Sequence, residues 1–219
     1  MPIMPKIIRS SRLSMSIRIN LMGEVIVRAP KFIPTFLIKK FILSKQNWID
    51  ASLKKVNIYH KKEKQYIEGE EFMYLGNKYI FQFIDTDKIF ISDNKLFFPK
   101  ILLFRAEKEI KNWYIRLAKD KITERLDHKA KEMGMQYKSI LFSDTQSKWG
   151  TCWPDNALQF NWRLIMAPLM VLDYVVIHEL AHTKEKNHSN KFWSIVSIYT
   201  PAWKQHRKWL NNNSYLLNY

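Results

Sequence analysis

The sequence predicts an α+β fold. Its N-terminal part is β-rich with one helix. Its C-terminal part is mainly helical, with a small β-sheet and a helix that carries His178-Glu179-Leu180-Ala181-His182. Three observations predict this. Polar and apolar residues alternate with strand period in the first half of the chain. Apolar residues recur at helical spacing after Pro99 and again after Pro168. The 47% apolar and 14% aromatic content supplies a core that a disordered chain lacks. The division expected is a basic β-rich region over 1–98 and a helical region over 99–219, together forming one unit.

The elements are taken in chain order. Leu13, Met15, Ile17 and Ile19 alternate with Ser14, Ser16 and Arg18, so 13–29 reads as a hairpin turning at Met22-Gly23-Glu24. Pro34 opens a helix to about Val56, with Phe36, Leu37, Phe41, Trp48, Ile49 and Leu53 as its apolar stripe. The polar stretch 57–69 is a connection. Phe72–Leu75 and Tyr79–Ile84 flank Gly76-Asn77 as a second hairpin, and Lys88–Ser92 and Lys95–Phe98 flank Asp93-Asn94 as two more strands. Pro99 and Gly134 bracket a long helix to about Met133, with Ile101, Phe104, Trp113, Leu117, Ile122 and Leu126 inward. Strands are expected over Tyr137–Ser143 and Ala157–Leu164. Helices are expected from Pro168 through the motif, from Ser189 to about Tyr199, and from Pro201 to about Asn211.

The motif helix carries the chemistry. His178 and His182 are four residues apart, so on a helix their imidazoles lie one above the other and can share an ion. Glu179 then stands where a general base for a metal-bound water is needed. Val171, Leu172, Tyr174, Val175, Val176 and Ile177 make the helix a buried one. A carboxylate and two imidazoles there are costly without partners. After His188 the chain has no Asp or Glu, which leaves His188 and His206 as downstream candidates for a third ligand, His188 being preferred. A helix continued unbroken would rotate His188 by roughly 240° from His182, so it must end between them. No Gly lies between 183 and 187, and Asn187 is the residue best suited to a left-handed turn, with Ser189 capping the next helix.

Other side chains are candidates for supporting roles. Lys148, Arg163 and His206 could steady an oxyanion. Asp144, Asp173 and Glu185 could accept from the outer N–H of a ligating imidazole. Cys152, Trp149, Trp162 and Trp193 are expected to be packing residues. The single Cys excludes an intramolecular disulfide and suits a reducing compartment. The N-terminus lacks a signal-peptide core, and no stretch reaches the ~20 apolar residues of a membrane span. The expectation is a cytoplasmic protein without a membrane partner. Residues 1–62 hold 13 Lys and Arg against two acids. That excess makes nucleic acid or nucleotide a possible partner of the N-terminal region, although the charges are scattered rather than in one run.

The run Ser147–Cys152, then Phe160–Leu164, Ala167-Pro168, Leu172–Val176, His178–His182, Asn187–Ser189, Phe192-Trp193, Pro201 and Arg207–Leu210 resembles the YgjP-like metallopeptidase family. That family is similar to the SprT-like and WLM zinc proteases. Arg9, Arg12, the Gly69-Glu70 and Leu75-Gly76 hairpin, and Trp113-Tyr114 extend the likeness over most of the chain. Thr151 stands where the family more often has Ser, and Trp153-Pro154 replace small polar residues. The resemblance implies a zincin-like C-terminal region, one zinc ion per chain on His178, His182 and His188, and Glu179 as catalytic acid and base. It implies a hydrolase acting on a peptide or protein. Two alternatives keep the site: a uridine triphosphate pyrophosphatase, a label some members carry, and a DNA-associated SprT-like protease.

Overall fold

A computed structural model describes residues 5–19, 23–60, 64–145 and 148–217, the side chains of 55–60 excepted. The described residues form six α-helices and three small sheets, β-rich toward the N-terminus and helical toward the C-terminus. They divide into two compact units, one from 5–60 with 214–217 and the other from 64–213. No helix among the described residues is long and apolar enough to cross a membrane.

In the first unit, β1 (Lys6–Ser10), β2 (Ser16–Ile19) and β3 (Val25–Pro30) form a sheet in the order β1-β3-β2. β2 and β3 make the expected antiparallel hairpin, with Ile19 opposite Val25; residues 20–22 of its turn lie outside those described. β1 is an addition, running parallel to β3. Val25, Val27 and Ala29 alternate into the core and meet Ile38, Ile49 and Leu53 from α1 (Thr35–Ser44) and α2 (Gln46–His60). These are two helices where the sequence predicts one. The Ser44 hydroxyl donates to the Phe41 carbonyl, and the Lys45 N–H turns to the Ile42 carbonyl. A serine side chain competing for backbone partners ends the first helix there. Arg9, part of the family likeness, ties β1 to the approach of α1, donating to the carbonyls of Lys31 and Ile33 and to the Thr35 hydroxyl.

The second unit begins with β4 (Glu71–Tyr74), β5 (Asn77–Ile84), β6 (Phe90–Ser92) and β7 (Lys95–Pro99), in the order β4-β5-β7-β6 with β5 and β7 parallel. The turn at Asp93-Asn94 falls where expected, while the first falls one residue earlier, at Leu75-Gly76 with Asn77 already in β5; all four turn residues have positive φ. The Gly76 turn touches the lead-in to the motif helix. Leu75 and Gly76 donate to the carbonyls of Ile165 and Met166, and a Cβ on Gly76 would lie 2.8 Å from the Pro168 Cα.

α3 (Ala106–Met133) is shorter than expected, because Lys100–Arg105 form a 3-10 helix. In that helix residues three apart share a side. Ile101 and Phe104 therefore point outward together, at 78% and 82% exposure, and not into the core as the pattern implied. Trp113, Ile122 and Leu126 are buried as expected, and Gly134 ends α3 in a left-handed conformation.

β8 (Ser139–Ser143), β9 (Gly150–Cys152) and β10 (Ala157–Asn161) form the third sheet, in the order β8-β10-β9. β10 stops three residues before its expected end. The Asn161 side chain accepts from the Arg163 N–H and donates to the Thr145 carbonyl, which turns Trp162–Met166 into a 3-10 helix. The motif helix is α4 (Leu169–Lys184), followed by α5 (Asn190–Tyr199) and α6 (Trp203–Asn213).

Candidate metal centre

α4 is buried along most of its length, so its two histidines and glutamate sit where only specific partners make them tolerable. The helix ends at Glu185, whose backbone is extended and whose N–H makes the last helical bond, to the Ala181 carbonyl. The return to His188 uses no left-handed residue: Asn187 is not among the positive-φ positions, contrary to the expectation for it. An extended Glu185 and a tight turn, in which Ser189 N–H donates to the Asn187 carbonyl at 2.8 Å, do the same work. Lys186 pins this loop from outside, its ammonium donating to the Trp153 carbonyl and the Asn156 side chain. Ser189 caps α5 as expected, accepting from the Phe192 N–H.

This path brings the ring nitrogens of His178, His182 and His188 to one point, all within 4.8 Å of one another. The Nε2 of His188 lies 3.0 Å from that of His178 and 3.2 Å from that of His182. Ligands of a tetrahedral zinc ion at about 2.0–2.1 Å would be spaced by about 3.3 Å. Of the outer nitrogens, that of His182 has a backbone partner, whereas His178 Nδ1 is buried without one. His182 Nδ1 is 2.9 Å from the Glu185 carbonyl, which as an acceptor fixes the tautomer that leaves Nε2 its lone pair. Burial first, then His182, His188 and Arg207, holds the His178 pKa down at about 3. Burial also lowers His182 and His188. All three imidazoles are thus neutral at neutral pH, the form that binds a metal.

Glu179 is 5% exposed. Burial raises its pKa to about 8, against the opposing pull of Lys148 and of a hydrogen bond from the Cys152 N–H. Its carboxyl lies against β9, where Gly150 leaves it room. A Cβ on Gly150 would come within 2.5 Å of the Glu179 Cγ and Oε1. Beside it opens a cavity of about 540 Å³, bounded by Lys148, Gly150 and Tyr174, by His178, Glu179 and His188, and by Trp193 and Arg207.

The supporting candidates divide. Lys148 lines the cavity, but Arg163 does not: its guanidinium binds Asp144 and lies over the Trp162 ring. His206 sits beside Tyr174 outside the cavity lining. The carboxylates expected behind the imidazoles are engaged elsewhere. Asp173 is paired with Arg125 and Asp144 with Lys111 and Arg163, while Glu185 serves through its backbone. Cys152 is half-buried near Lys186, outside the histidine cluster. Trp162 is core and stacks on Tyr114, whereas Trp149 and Trp193 line the cavity. Sequence reasoning gave no site role to Gly150, Tyr174 or Arg207. The one available signal for Arg207 was that it is the only Arg after Arg163.

No curated protein and no solved structure matches this chain. A family model described as YgjP-like, metallopeptidase domain, matches residues 13–213, which take in every element from β2 to α6. The chain therefore belongs to the YgjP-like metallopeptidase family, whose name implies a divalent metal for the histidine cluster just described.

Proposed function

We propose that the protein is a zinc-dependent peptidase in which His178, His182 and His188 hold one ion and Glu179 carries the proton. The observation that carries this reading is the convergence of three neutral imidazole nitrogens beside a buried carboxyl at a cavity wall. Zinc, when bound, supplies a Lewis acid that brings the pKa of its water to about 7. Glu179 takes the proton from the attacking water and returns it to the leaving amine. The Cys152 N–H orients its carboxyl, and the buried position keeps that carboxyl from bulk water.

A peptide is the substrate class that the surroundings favour. β9 is an edge strand, hydrogen-bonded on one side to β10, and its Gly150 lines the cavity. An extended peptide can add to such an edge and present a carbonyl beside Glu179. A nucleotide hydrolase using the same residues has one observation in its favour, the two cations of the cavity wall, Lys148 and Arg207. Against it, the chain has five glycines and no Gly-rich phosphate loop.

The test is a side-by-side assay of peptides and uridine triphosphate with wild type and Glu179→Gln, together with metal analysis. The expected result is about one zinc per chain in both proteins and peptide cleavage in wild type alone. Unchanged cleavage by Glu179→Gln removes it as the base; release of pyrophosphate in place of peptide cleavage makes the protein a nucleotide hydrolase.

A further inference from the structure

One wall of the cavity is built from a part of the chain with no acidic residue. Residues 189–219 carry Lys191, Lys204, Arg207 and Lys208 and no Asp or Glu. Of these, Arg207 lines the cavity, as does Lys148 from the loop before β9. Among the described residues neither forms an ion pair, and the only carboxylate lining the cavity is Glu179, which the proposed reaction employs. Arg207 is nevertheless held in place. Its guanidinium lies 5.6 Å from the centre of the Trp193 ring, within the range of a cation–π contact. Trp193 is itself fixed by stacking on Trp203, at 4.1 Å and 17°, and on His188, at 5.6 Å and 24°. The charge of Arg207 is also felt at His178, His188 and Tyr174, so it bears on the histidine side of the cavity, while Lys148 bears on Glu179.

A guanidinium at cation–π distance from a packed aromatic ring and lacking a carboxylate partner can supply half of a bidentate pair. We infer that Arg207, assisted by Lys148, is a specificity-determining residue that binds a substrate carboxylate next to the scissile bond. The substrates preferred are then peptides with an acidic side chain there, or peptides cut close to a free C-terminus. This rests on the peptidase reading, because it takes the anion to be part of a peptide. A lysine at the same substrate position would face two cations and the metal and is disfavoured.

The test separates this inference from the activity itself. Zinc-loaded full-length Glu179→Gln binds hexapeptides without cutting them, and calorimetry or tryptophan fluorescence reads the affinity. Five probes are compared: an amidated neutral peptide, its Glu-containing and Lys-containing counterparts, the neutral peptide with a free carboxylate, and uridine triphosphate. The expected result is about tenfold tighter binding of an acidic or free-carboxylate peptide than of the neutral one, roughly one charge-assisted pair. Adding Arg207→Gln removes that preference, and Arg207→Lys restores part of it. Which of the two anionic peptides binds better identifies the source of the carboxylate.

Equal affinity for acidic, neutral and lysine peptides overturns the inference, as does a preference that survives Arg207→Gln. Uridine triphosphate binding above all peptides, with the same dependence on Arg207, reassigns the subsite to phosphate. If Arg207→Gln does not fold, Arg207→Lys and Lys148→Gln carry the same comparison. Charge-selective binding together with no peptide cleavage by wild type would remove the peptidase reading and leave the anion subsite standing.

Discussion

At the scale of single residues, the tightest constraint falls on a glycine. The backbone of Gly150 is not left-handed, so its lack of a side chain answers to space and not to conformation. The space is occupied by the Glu179 carboxyl, 2.5 Å from where a Cβ would stand. Gly150→Ala is therefore expected to displace that carboxyl and leave the histidines where they are. The mutant should fold, retain the metal of the wild type, and lose about a hundredfold or more in kcat, the range of a misplaced general base. Wild-type turnover in Gly150→Ala would show that the carboxyl has another place to go. The spacing of His178, Glu179 and His182 was legible because four residues make about one helical turn. The partnership of Gly150 and Glu179 was not, because 29 positions of sequence separate residues that meet only when β9 lies along α4.

At the scale of elements, α4 is fixed from two sides. The Gly76 turn holds its entry, and α3 holds its flank through Arg125. Arg125 Nε and Nη2 donate to the two Asp173 carboxylate oxygens at 2.7 Å each, with both side chains largely buried. Removing one partner strands the other charge, so Asp173→Asn and Arg125→Ala should each lower stability by about 2–4 kcal/mol. Replacing both by apolar residues of similar volume should recover most of that loss. Urea unfolding checks this; single mutants within about 0.5 kcal/mol of wild type would mean the pair contributes nothing net. Sequence periodicity marked α3, α4 and α5 well because each has a buried face and an end signal, Gly134 and Ser189 among them. It missed the break at Lys45, where the Ser44 hydroxyl bonds the Phe41 carbonyl, and the 3-10 helix at Lys100–Arg105, which buries no residue and so leaves no apolar face to read. It also missed β9, whose three residues carry no alternation long enough to read.

At the scale of the whole molecule, the histidine cluster links two helices through a loop that has no glycine to make its turn. His178 and His182 come from α4, and His188 from the approach to α5. An ion shared among them would tie these elements together in the folded state alone. At zinc a hundredfold above its Kd, that linkage amounts to about 2.7 kcal/mol. A strong chelator is therefore expected to lower the thermal midpoint by about 5–10 °C, and one equivalent of zinc should restore it. A midpoint indifferent to chelation would mean that the three imidazoles hold no ion. The metal would also be held by neutral ligands, because burial lowers the pKa of each.

The sequence alone determined the α+β class, most of the helix boundaries, the two tight hairpins and the three histidines that the fold brings together. Those features depend on periodicities, turn residues and residue types, all of which are local. Tertiary structure decided the rest. It decided that the chain returns to His188 without a left-handed residue, that Arg163 is spent on Asp144 while Arg207 reaches the cavity, and that Gly150 makes room for Glu179. Each of these depends on which distant side chain occupies a given space, and that is settled only when separate elements are packed against one another.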